Sequence, residues 1–107
     1  MATDTYKQIY QGQLGASVAT LFTVGAAEMI IIKHMTIVNN DTSARTFALY
    51  KNGTAAANIV TPPNISVPAS GMAEWDGTMA LGNNDTLRGG ASVATQLTIT
   101  VSGDSIS

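Results

Sequence analysis

The sequence predicts an all-β fold, a single-domain antiparallel β-sandwich over residues 1–107, jelly-roll-like and built from about eight short strands. Three observations lead there. Apolar and hydroxyl side chains alternate with a period of two in several runs, those runs are rich in β-branched residues, and clusters of Gly, Asn, Pro and Asp separate them.

In chain order, 8–13 reads as the first strand, and residues 1–12 as either an N-terminal arm that reaches a neighbour or a plain edge strand. A strand at 19–24 competes with a helix, because Leu14, Val18, Leu21, Phe22 and Gly25 fall close to helical spacing. The residue types decide for the strand. Val18, Thr20, Thr23 and Val24 are β-branched, Gly15 and Gly25 bracket the segment, and neither an acidic first turn nor an N-cap precedes it. The longest strand, 30–39, carries a conflict: Lys33 shares the parity of Ile31, Met35 and Ile37, which would put a charge on the buried face. Either a bulge near Lys33-His34 shifts the parity by one, or Lys33 lies near a sheet end where its ammonium reaches water; the bulge is preferred.

In 46–51, Phe47 and Leu49 face one way and Thr46, Ala48 and Tyr50 the other, and Asn52-Gly53 favours the positive φ angles of a tight hairpin turn. Short strands are expected at 57–61, 65–67, 71–75, 78–81 and 86–91. Proline has no amide hydrogen to donate, so Pro62-Pro63 and Pro68 mark 61–64 and 67–71 as loops or edge corners. The clearest strand is 96–102, where Leu97, Ile99 and Val101 alternate with Thr98, Thr100 and Ser102. Two short sequences recur, Gly-Ala-Ser-Val-Ala-Thr at 15–20 and 90–95, and Asn-Asn-Asp-Thr at 39–42 and 83–86. Their offsets differ, so they are read as one turn chemistry used twice and not as a tandem array.

Charged residues make up 11% of the chain and the net charge is −2, with five Lys plus Arg and no basic cluster, which argues against a nucleic-acid partner. Ala, Thr, Ser and Asn dominate, so the surface is expected to be neutral and polar. The longest bulky apolar run, 29–32, is far below the ~20 residues of a membrane-spanning helix, so no membrane partner is expected. No basic start followed by an apolar stretch is visible at the N-terminus, and synthesis in the cytoplasm is the simple expectation.

The inventory for catalysis is thin, and no enzyme is expected. His34 is the single histidine and the natural candidate for a base, but no motif links it to a serine or aspartate. One histidine without cysteine also speaks against structural zinc, and the Asn/Asp runs suit turns better than a calcium loop. No cofactor is expected: Gly12, Gly15, Gly89 and Gly90 form no phosphate cradle, since no helix follows them. The Asn-x-Ser/Thr sequons at Asn40, Asn52, Asn64 and Asn84 arise by chance in so Asn- and Thr-rich a chain. Among the aromatics, Trp75 is read either as a cap on the core or as an interface anchor, and Tyr6 and Tyr10 with Ile9 either as a reaching arm or as edge pairing.

The order Thr20-Leu21-Phe22-Thr23-Val24, Ile31-Ile32-Lys33 and Ile37-Val38-Asn39-Asn40 resembles small virion structural proteins of tailed bacteriophages. So do Met79-Ala80-Leu81, the run Asn83-Asn84-Asp85-Thr86-Leu87-Arg88, and the run from Leu97 to Gly103. The likeness covers roughly 18–103 and departs at Gly25, where such proteins often carry proline. The resemblance implies a compact sandwich in a capsid decoration, tail or fibre, with no enzymatic residues. The leading expectation is a capsid decoration (cement) protein at the virion surface. It would form a homo-oligomer, a trimer, bind the major capsid protein, and use Tyr6, Ile9, Tyr10 and Trp75 as contacts. The alternative is a receptor- or carbohydrate-binding module at a tail tip or fibre.

Overall fold

The computed structural model describes residues 4–53, 58–60 and 65–106. Its strands are β1 (Asp4–Gln13), β2 (Ala19–Thr23), β3 (Met29–Asn39), β4 (Arg45–Lys51), β5 (Ile65–Val67), β6 (Met72–Leu81), β7 (Thr86–Ala91) and β8 (Leu97–Ile106). They form two antiparallel four-stranded sheets, ordered β1-β8-β3-β6 and β2-β7-β4-β5. The pairs β1·β8, β2·β7, β3·β6 and β4·β5 are nested about the β4–β5 connection, as in one long ribbon folded over. The pairs β3·β8 and β4·β7 then close it into a jelly-roll-like sandwich.

Alternation fills the space between the sheets. Ile32, Met35 and Ile37 of β3, Leu97, Ile99 and Val101 of β8 and Leu49 of β4 are at most 1% exposed. Each such side chain contributes about 1.5–3 kcal/mol on burial. The parity conflict in β3 is resolved by the bulge: both pairings of β3 slip between Ile32 and His34. Ile30 and Ile32 face inward before it and Met35 and Ile37 after it, while Lys33 turns out and places its Nζ 2.8 Å from the Asp104 carboxylate.

Several boundaries differ from expectation. The first strand starts at Asp4 and pairs with β8 along its length, at the edge of its sheet. The segments expected at 71–75 and 78–81 are one strand, β6, running through Asp76-Gly77. Gly77 and Thr78 lie opposite Lys33, where the register of β3 and β6 slips without breaking the strand. The last strand continues past Ser102 to Ile106. Of the strand expected at 57–61, Ile59 bridges Tyr50, and residues 57 and 61 lie outside the described residues. Asn52 takes a positive φ of 63°, but Tyr50 bridges Ile59, so among the described residues the return strand does not have the register of a two-residue turn at Asn52-Gly53. The Asn52 side chain ties the end of β4 to the start of β7, accepting from Thr86 N (2.7 Å) and donating to Asp85 Oδ1 (2.9 Å).

The repeated sequences occupy related places. Ala91 N donates to Gly15 O at 2.8 Å, and a Cβ on Gly90 would sit 2.9 Å from backbone atoms of Ser17 and Val18, so the two hexapeptides lie against each other. In the Asn-Asn-Asp-Thr copies the aspartates hold turns. Asp41 accepts from Thr42 N at 2.6 Å and pairs with Arg45, while Asp85 accepts from Gly82 N at 2.8 Å and from Asn52.

These contacts give a pH prediction. The Arg45 hydrogen bond, with that from Thr42, holds the Asp41 carboxyl below its ordinary 3.8, and the bonds from Asn52 and Gly82 do the same for Asp85. Their folded-state values are depressed, so the stability they contribute is present above the ordinary value and is lost as the pH falls below it through the folded values. Thermal melts of the wild type should fall on acidification through that window, and those of Asp41→Asn/Asp85→Asn should fall less steeply. Parallel pH profiles would remove the assignment.

Candidate functional site

Residues directly paired across antiparallel strands share a face, so the register defines the outer surface of the β1-β8-β3-β6 sheet row by row. One row is Tyr6, Asp104, Ile31 and Ala80, and the next is Gln8, Ser102, His34 and Asp76. Then come Gln11, Thr100, Thr36 and Glu74, and last Gln13, Thr98, Val38 and Met72. The face has a polar middle of amides, hydroxyls and one imidazole–carboxylate pair, flanked by apolar groups at both ends. Among the described residues the large hydrophobics left exposed are Tyr6 (62%), Met29 (43%), Val38 (38%) and Met72 (52%), and all four belong to this face. Val38 and Met72 are direct partners at one end, while Met29, opposite Ile106, lies toward the other, the end that also carries Tyr6.

The residues expected to make contacts divide. Tyr6 is on the outer face. Ile9 packs partly buried against the core at the slip between Gln8 and Tyr10. Tyr10 is also half-buried and stacks on Phe22 with ring centroids 5.9 Å apart, bridging β1 and β2 where the two sheets meet. Trp75, the partner of fully buried Met35, packs against the core from β6. One side of it lines an open groove of about 450 Å³ together with Met79, Ile59, Asn52, Asn58 and Thr78. The exposed methionines and Val38 escaped sequence reasoning because only the register shows that they share a face with Tyr6.

His34 sits on the open middle of this face, its Nδ1 2.5 Å from Asp76 Oδ1. Asp76 is 73% exposed at its side chain, so the pair is in contact with water, and among the described residues no hydroxyl is hydrogen-bonded to the ring. That arrangement lacks the nucleophile that a base and its orienting carboxylate would serve. Glu74 joins the pair: the ligating atoms of His34, Glu74 and Asp76 lie within 4.8 Å of one another. The chain order of these residues gives no hint of it, since 40 positions separate His34 from Glu74.

No protein-family model and no curated protein matches the chain. Solved structures do share its fold. A protein of Bacillus endospore appendages, described as a family of disulfide-linked pili, superposes with a TM-score of 0.53 at 15% identity, over 98% of this chain and 86% of that one. A chain of the T13 particle of infectious bursal disease virus gives a TM-score of 0.53 at 8% identity, over 99% of this chain. This chain spans 30% of that viral protein's length. A pentameric capsid protein from metagenomic phage sequences matches more loosely, with a TM-score of 0.41 at 15% identity over 94% of this chain and 62% of that one. At these identities the likeness is one of fold: the sandwich of this chain also occurs in a virus particle and in a spore appendage.

Proposed function

We propose that this chain is a non-enzymatic structural subunit of a virion, built into the particle through the outer face of its β1-β8-β3-β6 sheet. The observation that carries the reading is the collection of Tyr6, Met29, Val38 and Met72 on that one face. Exposed hydrophobics at both ends of one sheet face flank a polar middle whose Gln and Thr rows supply donors and acceptors, a mixture of apolar and hydrogen-bonding surface that suits a protein contact. The viral fold neighbour agrees with this reading. Disulfide linkage, the mode named for the spore appendage, is closed to this sequence, which has no cysteine.

The finer reading is capsid decoration: a homotrimer bound to the major capsid protein on the outside of a bacteriophage head, each copy adding a modest contact that symmetry multiplies. Truncating residues 1–12 is a poor test because it removes most of an edge strand. Tyr6→Ser and Met72→Gln change exposed side chains and should shift stability by no more than about 0.5 kcal/mol. Purified protein should bind expanded, undecorated capsids at a copy number comparable with the major capsid subunit, and the double variant should lose at least about tenfold in affinity, worth ~1.4 kcal/mol. Undiminished binding by the double variant, or none by the wild type, overturns the reading.

A second reading, a receptor- or carbohydrate-binding module at a tail tip or fibre, is favoured by the Trp75 groove. An indole flanked by the amides of Asn52 and Asn58 and the hydroxyl of Thr78 combines a stacking surface with hydrogen-bonding groups. Binding on a glycan array that disappears in Trp75→Ala, with the melting transition preserved, would select it over decoration.

A further inference from the structure

We propose that His34, Glu74 and Asp76 form a divalent-metal site, of the class that takes zinc, on the outer face of β3 and β6. Their ligating atoms, one imidazole nitrogen and two carboxylate oxygens, all lie within 4.8 Å of one another. The carboxylates stand at alternate positions of β6, and the imidazole faces one of them directly from β3.

The backbone builds this convergence. Without the bulge after Ile32, His34 would keep the inward parity of Ile30 and Ile32 and be lost between the sheets. The slip, present against both neighbouring strands, turns the imidazole out beside the acids while Met35 and Ile37 turn in. The bulge also sends Lys33 to Asp104 on β8, on the side of β3 away from β6.

The donor set selects the ion. Calcium and magnesium prefer oxygen ligands throughout, whereas an imidazole nitrogen with two carboxylates suits zinc and its neighbours. Zinc bonds of about 2.0–2.2 Å to these atoms put tetrahedral ligands ~3.4 Å apart. The His34 Nδ1 to Asp76 Oδ1 separation of 2.5 Å must therefore widen by roughly 1 Å, and the Glu74 carboxylate, within 4.8 Å of the other ligating atoms, must close in by at most about 1.4 Å. Both acids are exposed and free to make that adjustment. The ion takes the place of the hydrogen bond between His34 and Asp76, and three protein ligands leave a fourth position for water or for a group from outside the chain.

The composition makes the test clean, because His34 is the only histidine and there is no cysteine. Zinc chloride titrated calorimetrically into the full chain should bind at one ion per chain, and the single imidazole resonance should shift as zinc is added but not as magnesium is added. His34→Ala and Asp76→Asn should each weaken binding on the order of 100-fold, and Glu74→Gln by about tenfold or more. An imidazole signal that ignores millimolar zinc, or equal zinc affinity in His34→Ala, overturns the site. These readouts use the isolated chain, so they stand or fall separately from capsid binding.

Discussion

Gly103→Ala is expected to destabilise the sandwich by about 3 kcal/mol or more, the upper end of what overpacking costs when side chains alone must yield. Gly103 lies within β8, paired with Lys7 on one side and Ile32 on the other. A Cβ added there falls far inside van der Waals contact distance of the Ile31 carbonyl oxygen and 3.0 Å from Ile31 C and Ile32 Cα. All three are backbone atoms of the neighbouring strand, just before the β3 bulge, so no flexible group can move aside. Either β3 parts from β8 or the bulge is rebuilt, and the core depends on both. For a domain of this size that loss lowers Tm by ~12 °C or more. Gly15 provides the contrast, because its added Cβ would meet its nearest atom at 3.8 Å. Gly15→Ala should be neutral or stabilising by about 0.4–1 kcal/mol through the unfolded chain. Circular-dichroism melts and urea titrations of both variants read the difference, and a Gly103→Ala melt matching the wild type would show that β3 and β8 are not in this register.

The second large effect is expected at Asn39, the last residue of β3 and 1% exposed. Its Nδ2 donates to the carbonyls of Ser43 (2.9 Å), Val67 (3.0 Å) and Pro68 (3.2 Å), and its Oδ1 accepts from Asp41 N (2.8 Å). One amide therefore fastens the end of a β1-β8-β3-β6 strand to the β5 end of the other sheet. Asn39→Asp keeps the shape but replaces the donor with a charged oxygen facing carbonyl oxygens away from water. The loss should be about 3–5 kcal/mol at neutral pH, as for other buried charges left without a partner. Asn39→Leu leaves the carbonyls unpaired without burying a charge and should lose less. Asn40→Asp makes the same chemical change at an exposed position and should stay within ~0.5 kcal/mol. Chemical denaturation should rank the variants in that order, and an Asn39→Asp protein as stable as its Asn40→Asp counterpart would remove Asn39 from the role of inter-sheet tie.

Much of the fold was legible because alternation is a local property. Leu97, Ile99 and Val101 could be assigned inward from their spacing alone, and the misfit of Lys33 pointed to the bulge before any partner strand was known. Asn39 was less legible: as part of an Asn-Asn-Asp-Thr run it read as turn chemistry, and nothing local distinguishes the buried Asn39 from the exposed Asn40. Strand ends were misjudged at Gly77 and after Ser102, where hydrogen bonds to a neighbour carry the strand through residues of weak strand propensity.

By itself the sequence determined an all-β, weakly charged chain with alternating faces and no thiol chemistry, because composition and period-two spacing are written residue by residue. The tertiary structure alone decided which outward residues stand side by side. Pairing Met72 with Val38, bringing Glu74 and Asp76 to His34, and sending Tyr10 and Trp75 to the core depend on register between strands distant in sequence. That register is set by turns, bulges and shared burial across two sheets, and no short stretch of chain contains it.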